Sequence, residues 1–139
     1  MLLSLQEELG IGNRESFMAA TVFGGGVARS GETCGALLGA LMALGLAIGR
    51  ERMEDTDQYR KAMVPAQEVY RRFEAVEGSS RCLEIHEKLY GRSFLLADPE
   101  QRKAFLEAGG HSAAGCPSVC YEAAKIAADV ILGLREAKA

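Results

Sequence analysis

Cys34-Gly35-Ala36-Leu37-Leu38-Gly39-Ala40-Leu41-Met42-Ala43-Leu44-Gly45-Leu46-Ala47-Ile48-Gly49 is the stretch on which the fold turns. It runs for sixteen residues without a charge and contains four glycines. That falls short of the roughly 20 apolar residues a helix needs to cross a bilayer, so the stretch reads as a helix buried in protein. Small residues at Gly35, Gly39, Ala43 and Ala47, and again at Ala36, Ala40 and Ala47, leave two faces smooth enough for neighbouring backbones to approach closely. The helix is expected to begin near Glu32 or Thr33, run to about Arg52 and form the hydrophobic centre.

On either side, apolar residues recur at helical spacing and no alternating strand-like segment interrupts them. A first helix is expected over Leu2 to Leu9, stopped by Gly10 and Gly12. A second follows Asn13 as N-cap, from Arg14 to Phe23, and ends at Gly24-Gly25-Gly26. A fourth, capped near Asp55 or Thr56, has apolar positions 59, 62, 63, 66, 69, 70, 73 and 76, with Pro65 predicting a kink and Gly78 ending it. Ser79-Ser80 cap a fifth running to Tyr90. Asp98-Pro99-Glu100-Gln101 has the N-cap, first-turn proline and capping-box pattern that starts a sixth, which ends at Gly109. Pro117 opens a last helix with a buried face at 119, 120, 123, 126, 127, 130, 131 and 134. The fold class is therefore all-α: a compact single-domain bundle of about six or seven helices, residues 1–139, around a Gly/Ala-rich central helix.

The chain's 139 residues suit one domain. Sixteen Lys and Arg against nineteen Asp and Glu leave a net charge of −3, with no basic excess to follow a phosphate backbone or an anionic membrane. No nucleic-acid partner and no membrane insertion are expected. The beginning, Met1-Leu2-Leu3-Ser4-Leu5-Gln6-Glu7-Glu8, lacks the basic region of a secretory signal, so the expected location is cytoplasmic. There the four cysteines, Cys34, Cys82, Cys116 and Cys120, stay reduced and suit ligand or redox roles better than structural bridges.

Three predicted helix starts carry cysteine. Cys34 heads the central helix, Cys82 follows Ser80, Cys116 takes the N-cap position before Pro117, and Cys120 lies one turn further in. Unpaired N–H groups and partial positive charge at a helix start lower a thiol's pKa and stabilise a thiolate or an anionic cluster. A small buried hydrophobe is the plain alternative for any single cysteine. Cys116 and Cys120, four apart on a helix, have Cβ atoms about 5–6 Å apart, too far for a direct disulfide and better suited to sharing a metal. Cys82 and His86 have the same spacing, and His111 precedes Cys116, so a mixed Cys/His zinc site is a further option. The triple glycine lacks the strand and the G-K-[ST] ending of a phosphate loop and reads as a turn where backbone passes close to a neighbour or cofactor. No Ser/His/Asp order or H-E-x-x-H pair supports a hydrolase.

Phe23-Gly24-Gly25-Gly26-Val27-Ala28-Arg29, followed by Gly31-Glu32-Thr33-Cys34-Gly35-Ala36-Leu37-Leu38-Gly39-Ala40, resembles the CGAxxG segment of the C_GCAxxG_C_C family of small redox-active proteins, found largely in bacteria and archaea. Gly78-Ser79-Ser80-Arg81-Cys82 and Cys116-Pro117-Ser118-Val119 resemble its later cysteine segments, so the resemblance covers nearly the whole chain. Family members usually carry another cysteine ahead of the first helix. This chain begins inside that helix, which implies either a truncated start or a lost ligand, with Cys120 as a replacement thiolate or a core residue. The resemblance implies redox work by a cysteine cluster. Similarity to the corresponding domain of split-Soret cytochromes c favours an iron–sulfur centre, while C-x-x-C-H haem attachment is absent.

Three functions follow as expectations. The first is a redox-active electron carrier or sensor in which Cys34, Cys82, Cys116 and Cys120 hold a 2Fe-2S type centre and exchange electrons with a partner protein. The second is a cofactor-free thiol–disulfide protein. The third is a structural zinc site in a helical adaptor, and whether the chain is an enzyme stays open. A homodimer is also expected, since it would cover a further face of so apolar a helix.

Overall fold

The computed structural model describes residues 1–137 and 139. Among them the chain forms seven α-helices: α1 (Leu2–Leu9), α2 (Arg14–Ala20), α3 (Gly35–Ile48), α4 (Thr56–Glu77), α5 (Cys82–Tyr90), α6 (Pro99–Glu107) and α7 (Cys116–Glu136). The all-α expectation holds, with α3 packed against α1, α4 and α7. Its buried residues Leu37, Ala40, Ala43 and Leu44 meet Val69 and Phe73 of α4 and Val119, Ala123, Ile126, Ala127 and Ile131 of α7. Alanine and glycine at the crossing let the backbones come close, and burial of the larger aliphatic side chains contributes about 1.5–3 kcal/mol each. No helix among the described residues is long and apolar enough to cross a membrane.

Local chemistry sets the boundaries. Asn13 caps α2, its side chain accepting from the Ser16 N–H while the Ser16 hydroxyl accepts from the Asn13 N–H. The second helix then tightens into a 3-10 turn over Thr21–Phe23 instead of continuing as α-helix. Asp98 caps α6 by accepting from the Gln101 N–H, but the Gln101 side chain accepts from the Leu95 N–H, so the expected capping box is only half made. The central helix is shorter than expected at both ends. Thr33 is drawn into an isolated antiparallel bridge with Arg81, and Gly49 stands at the C-cap. Only Ala62, Val69 and Phe73 of the expected α4 stripe are fully covered; Tyr59, Met63, Tyr70 and Val76 are exposed.

Between the 3-10 turn and α3 the backbone is left-handed for five residues, with φ of 67° at Gly25, 73° at Gly26, 61° at Val27, 51° at Ala28 and 65° at Arg29. For the three that carry a Cβ this conformation costs roughly 1–2 kcal/mol each. Compensating hydrogen bonds hold it: Ala28 N–H to the Val22 carbonyl (2.7 Å), Arg29 N–H to Gly24 (2.9 Å), and Gly31 and Glu32 N–H to Gly25 and Gly26 (3.0 Å each). The Ser30 hydroxyl donates to the Gly26 and Val27 carbonyls.

Candidate thiol site

The loop bearing Cys34 is fastened to the segment bearing Cys82. Cys34 N–H donates to the Ser80 carbonyl (2.8 Å), Cys82 N–H to Glu32 (2.7 Å) and Leu83 N–H to Gly31 (3.2 Å). These bonds flank the Thr33–Arg81 bridge and hold the starts of α3 and α5 side by side. Gly26 fits beneath them because it lacks a side chain: a Cβ there would stand 2.6 Å from Cys82 Cβ and 2.7 Å from the Glu32 nitrogen. At Gly35 a Cβ would lie 2.5 Å from the Phe23 carbonyl oxygen. The glycine turn is thus a place of close backbone approach, as its composition suggests.

A third helix start completes the site. Cys116 opens α7 with Gly115 at the cap, one residue before the position expected from Pro117. Its N–H donates to the Gly110 carbonyl (3.0 Å) and to the Tyr90 hydroxyl oxygen (3.1 Å). The Tyr90 O–H in turn lies 3.8 Å from Cys116 Sγ. Cys34, Cys82, Cys116 and Cys120 all line one cavity of about 420 Å³, together with Gly24, Gly25, Gly26 and Gly35. Cys34 and Cys82 are buried and Cys116 and Cys120 half-buried, and all four are free thiols.

His86 stands between two of them. Its Nε2 is 3.6 Å from Cys82 Sγ and 3.7 Å from Cys116 Sγ. The ring is 1% exposed and stacks on Phe105, with Tyr90 and Phe94 edge-on. Nδ1 has no hydrogen-bond partner. Burial lowers the His86 pKa, with the Phe94 backbone opposing, so burial favours the neutral imidazole. His111 lines the cavity edge and meets only the edge of Phe105.

The thiols depart from the expectation of lowered pKa. Burial pushes Cys34 up to about 11 against the pull of the Ala36 and Leu37 N–H groups, and pushes Cys82 up to about 12. Burial also raises Cys116, with the Tyr90 hydroxyl opposing, and raises Cys120. The helix ends act in the expected direction at Cys34, but desolvation outweighs them.

Tyr90 escapes a search confined to cysteine and histidine. Its spacing is nonetheless informative, since Cys82, His86 and Tyr90 succeed one another every four residues along one face of α5. Among the described residues no set of three or more His, Cys, Asp and Glu side chains forms a ready-made metal site, although His86 Nε2 lies within 3.7 Å of both Cys82 and Cys116 Sγ. Of the residues that make a mixed Cys/His zinc site an option, Cys82, His86 and Cys116 come together, while the His111 ring packs against Phe105.

Residues 1–130 match the family described as "Putative redox-active protein (C_GCAxxG_C_C)". The chain belongs to this family. Membership supports a redox role, and the matched residues include all four cysteines and His86. No curated protein and no solved structure matches the chain.

Proposed function

We propose that the chain is a redox protein whose cysteines hold an iron–sulfur centre of the 2Fe-2S type in the thiol cavity. The observation that carries this reading is the convergence of four thiols, from three helix starts, on one cavity of about 420 Å³. Soft thiolates are the usual donors to iron–sulfur clusters. Cys34, Cys82, Cys116 and Cys120 would hold the centre, which when bound supplies one-electron uptake and release.

The protein's own groups have defined tasks in this reading. Gly26 and Gly35 keep side-chain bulk away from the points where the Cys34 and Cys82 segments meet their neighbours. The N–H groups of Ala36 and Leu37 offset negative charge at Cys34 Sγ, and the Tyr90 hydroxyl does so at Cys116 Sγ. Because the free thiols are protonated at neutral pH, loading must displace their protons and is favoured as pH rises.

Anaerobic reconstitution with ferrous iron and sulfide, followed by iron, acid-labile sulfide and visible absorbance measurements, tests this. Iron and sulfide in equal amounts with charge-transfer bands support it, and a colourless protein free of both overturns it.

His86 gives the thiol–disulfide function a specific footing, because its Nε2 lies within 3.7 Å of both Cys82 and Cys116 Sγ. Oxidation of that pair to a disulfide would deliver two electrons and two protons to an oxidant. Thiol counting after mild oxidation of the metal-free chain decides the matter: two thiols lost, mapped to Cys82 and Cys116, favour this function, and four retained oppose it.

A further inference from the structure

A second cavity, of about 690 Å³, opens beside the thiol cavity and shares Thr21, Gly24, Gly25, Leu96 and His111 with it. Arg29 and Arg102 line it together with the apolar residues Val22, Phe105 and Leu106. Neither arginine has a carboxylate within ion-pair distance among the described residues, a state they share with Arg14, Arg50, Arg92 and Arg135, but these two alone line this cavity. Two unpaired positive groups thus face one cavity in a chain whose net charge is −3.

Arg29 is held through its backbone and Arg102 through its guanidinium. The Arg29 carbonyl accepts from the Ala97 N–H (3.1 Å), and Arg102 Nη1 donates to the Leu96 carbonyl (3.1 Å), so the two anchors are adjacent residues of one loop. Arg29 also has a left-handed φ of 65°, a conformation in which glycine would be unstrained. Strain of this kind persists where surrounding structure over-determines it, and ligand clamps are among the places it collects.

We propose that Arg29 and Arg102 form an anion-binding vestibule to the thiol cavity, and that it takes a small organic anion with a carboxylate or similar planar acid group and an apolar body. Guanidinium forks match such acids in a bidentate manner. Phe105 and Leu106 supply the surface for the apolar part. The bound molecule lies beside the thiol cavity, across the shared wall of Thr21, Gly24, Gly25, Leu96 and His111. The vestibule goes beyond the redox assignment and does not depend on which cofactor is present.

Calorimetric titration of the metal-free chain with 2-naphthoate and with neutral 2-naphthamide tests the idea. Naphthoate is expected to bind at least tenfold more tightly, and Arg29→Gln with Arg102→Gln to abolish that preference while circular dichroism stays unchanged. Arg29→Gly is expected to weaken naphthoate at least fivefold yet melt at or above the parent's temperature, because it relieves the left-handed strain. Equal affinity for the two probes in the parent, or a preference surviving in the double variant, would overturn the proposal. Inorganic phosphate binding as tightly as naphthoate would overturn its organic-ligand part.

Discussion

At Cys34 two opposed influences can be weighed. The N–H groups of Ala36 and Leu37 draw its pKa down, and burial draws it up to about 11. Cys34 is therefore held as the neutral thiol at pH 7. Alkylation of the metal-free protein should be slow at neutral pH and rise tenfold per pH unit to about pH 10; a plateau below pH 9 would contradict the burial argument. Cys34→Ser is expected to abolish cofactor loading while helical content survives. Cys120→Ser should weaken loading less, since Cys120 packs against the core as well as lining the cavity, and iron analysis with circular dichroism compares the two. The placement of cysteines at helix starts was legible in sequence because caps and turn glycines mark those starts. The sign of the pKa shifts was not, because desolvation depends on how neighbouring segments close over the sulfur. Tyr90 shows the same limit: its hydroxyl reaches Cys116 only after α5 and α7 have packed.

Among the elements, α3 and its approach carry the tightest constraints. Gly35→Ala would place a Cβ 2.5 Å from the Phe23 carbonyl and should destabilise the fold, whereas Gly133→Ala, in α7 with nothing within 4 Å, should stabilise it by about 0.5–1 kcal/mol. Denaturant melts of the two variants should move in opposite directions, and parallel shifts would contradict this account of the glycines. Periodicity and caps were enough to find α1 and α4 nearly residue by residue. They failed at the start of α3, where Thr33 is taken by a bridge to Arg81, a partner forty-eight residues away that no local pattern announces. They also missed the left-handed run from Gly25 to Arg29, since Val27, Ala28 and Arg29 have no intrinsic preference for it and are held by hydrogen bonds to the flanking chain.

For the molecule as a whole, buried neutral thiols make the metal-free state sensitive to alkali. Their folded pKa values lie above the unfolded value of 9.0, so the folded chain retains protons that the unfolded chain releases. Stability should be intact below pH 9 and fall as pH rises toward 11 to 12, which thermal melts across that range will check. A flat profile would show that the thiols are less enclosed than the cavity suggests. The expected homodimer is tested by light scattering, where twice the 14.9 kDa chain mass supports it and a clean single-chain mass at micromolar concentration opposes it. A multi-iron centre held by cysteines from three helix starts has a distinct signature in X-ray absorption at the iron edge of the reconstituted protein. A sulfur first shell and a resolved iron–iron scattering path are expected; an oxygen and nitrogen shell with no iron–iron path would contradict such a centre.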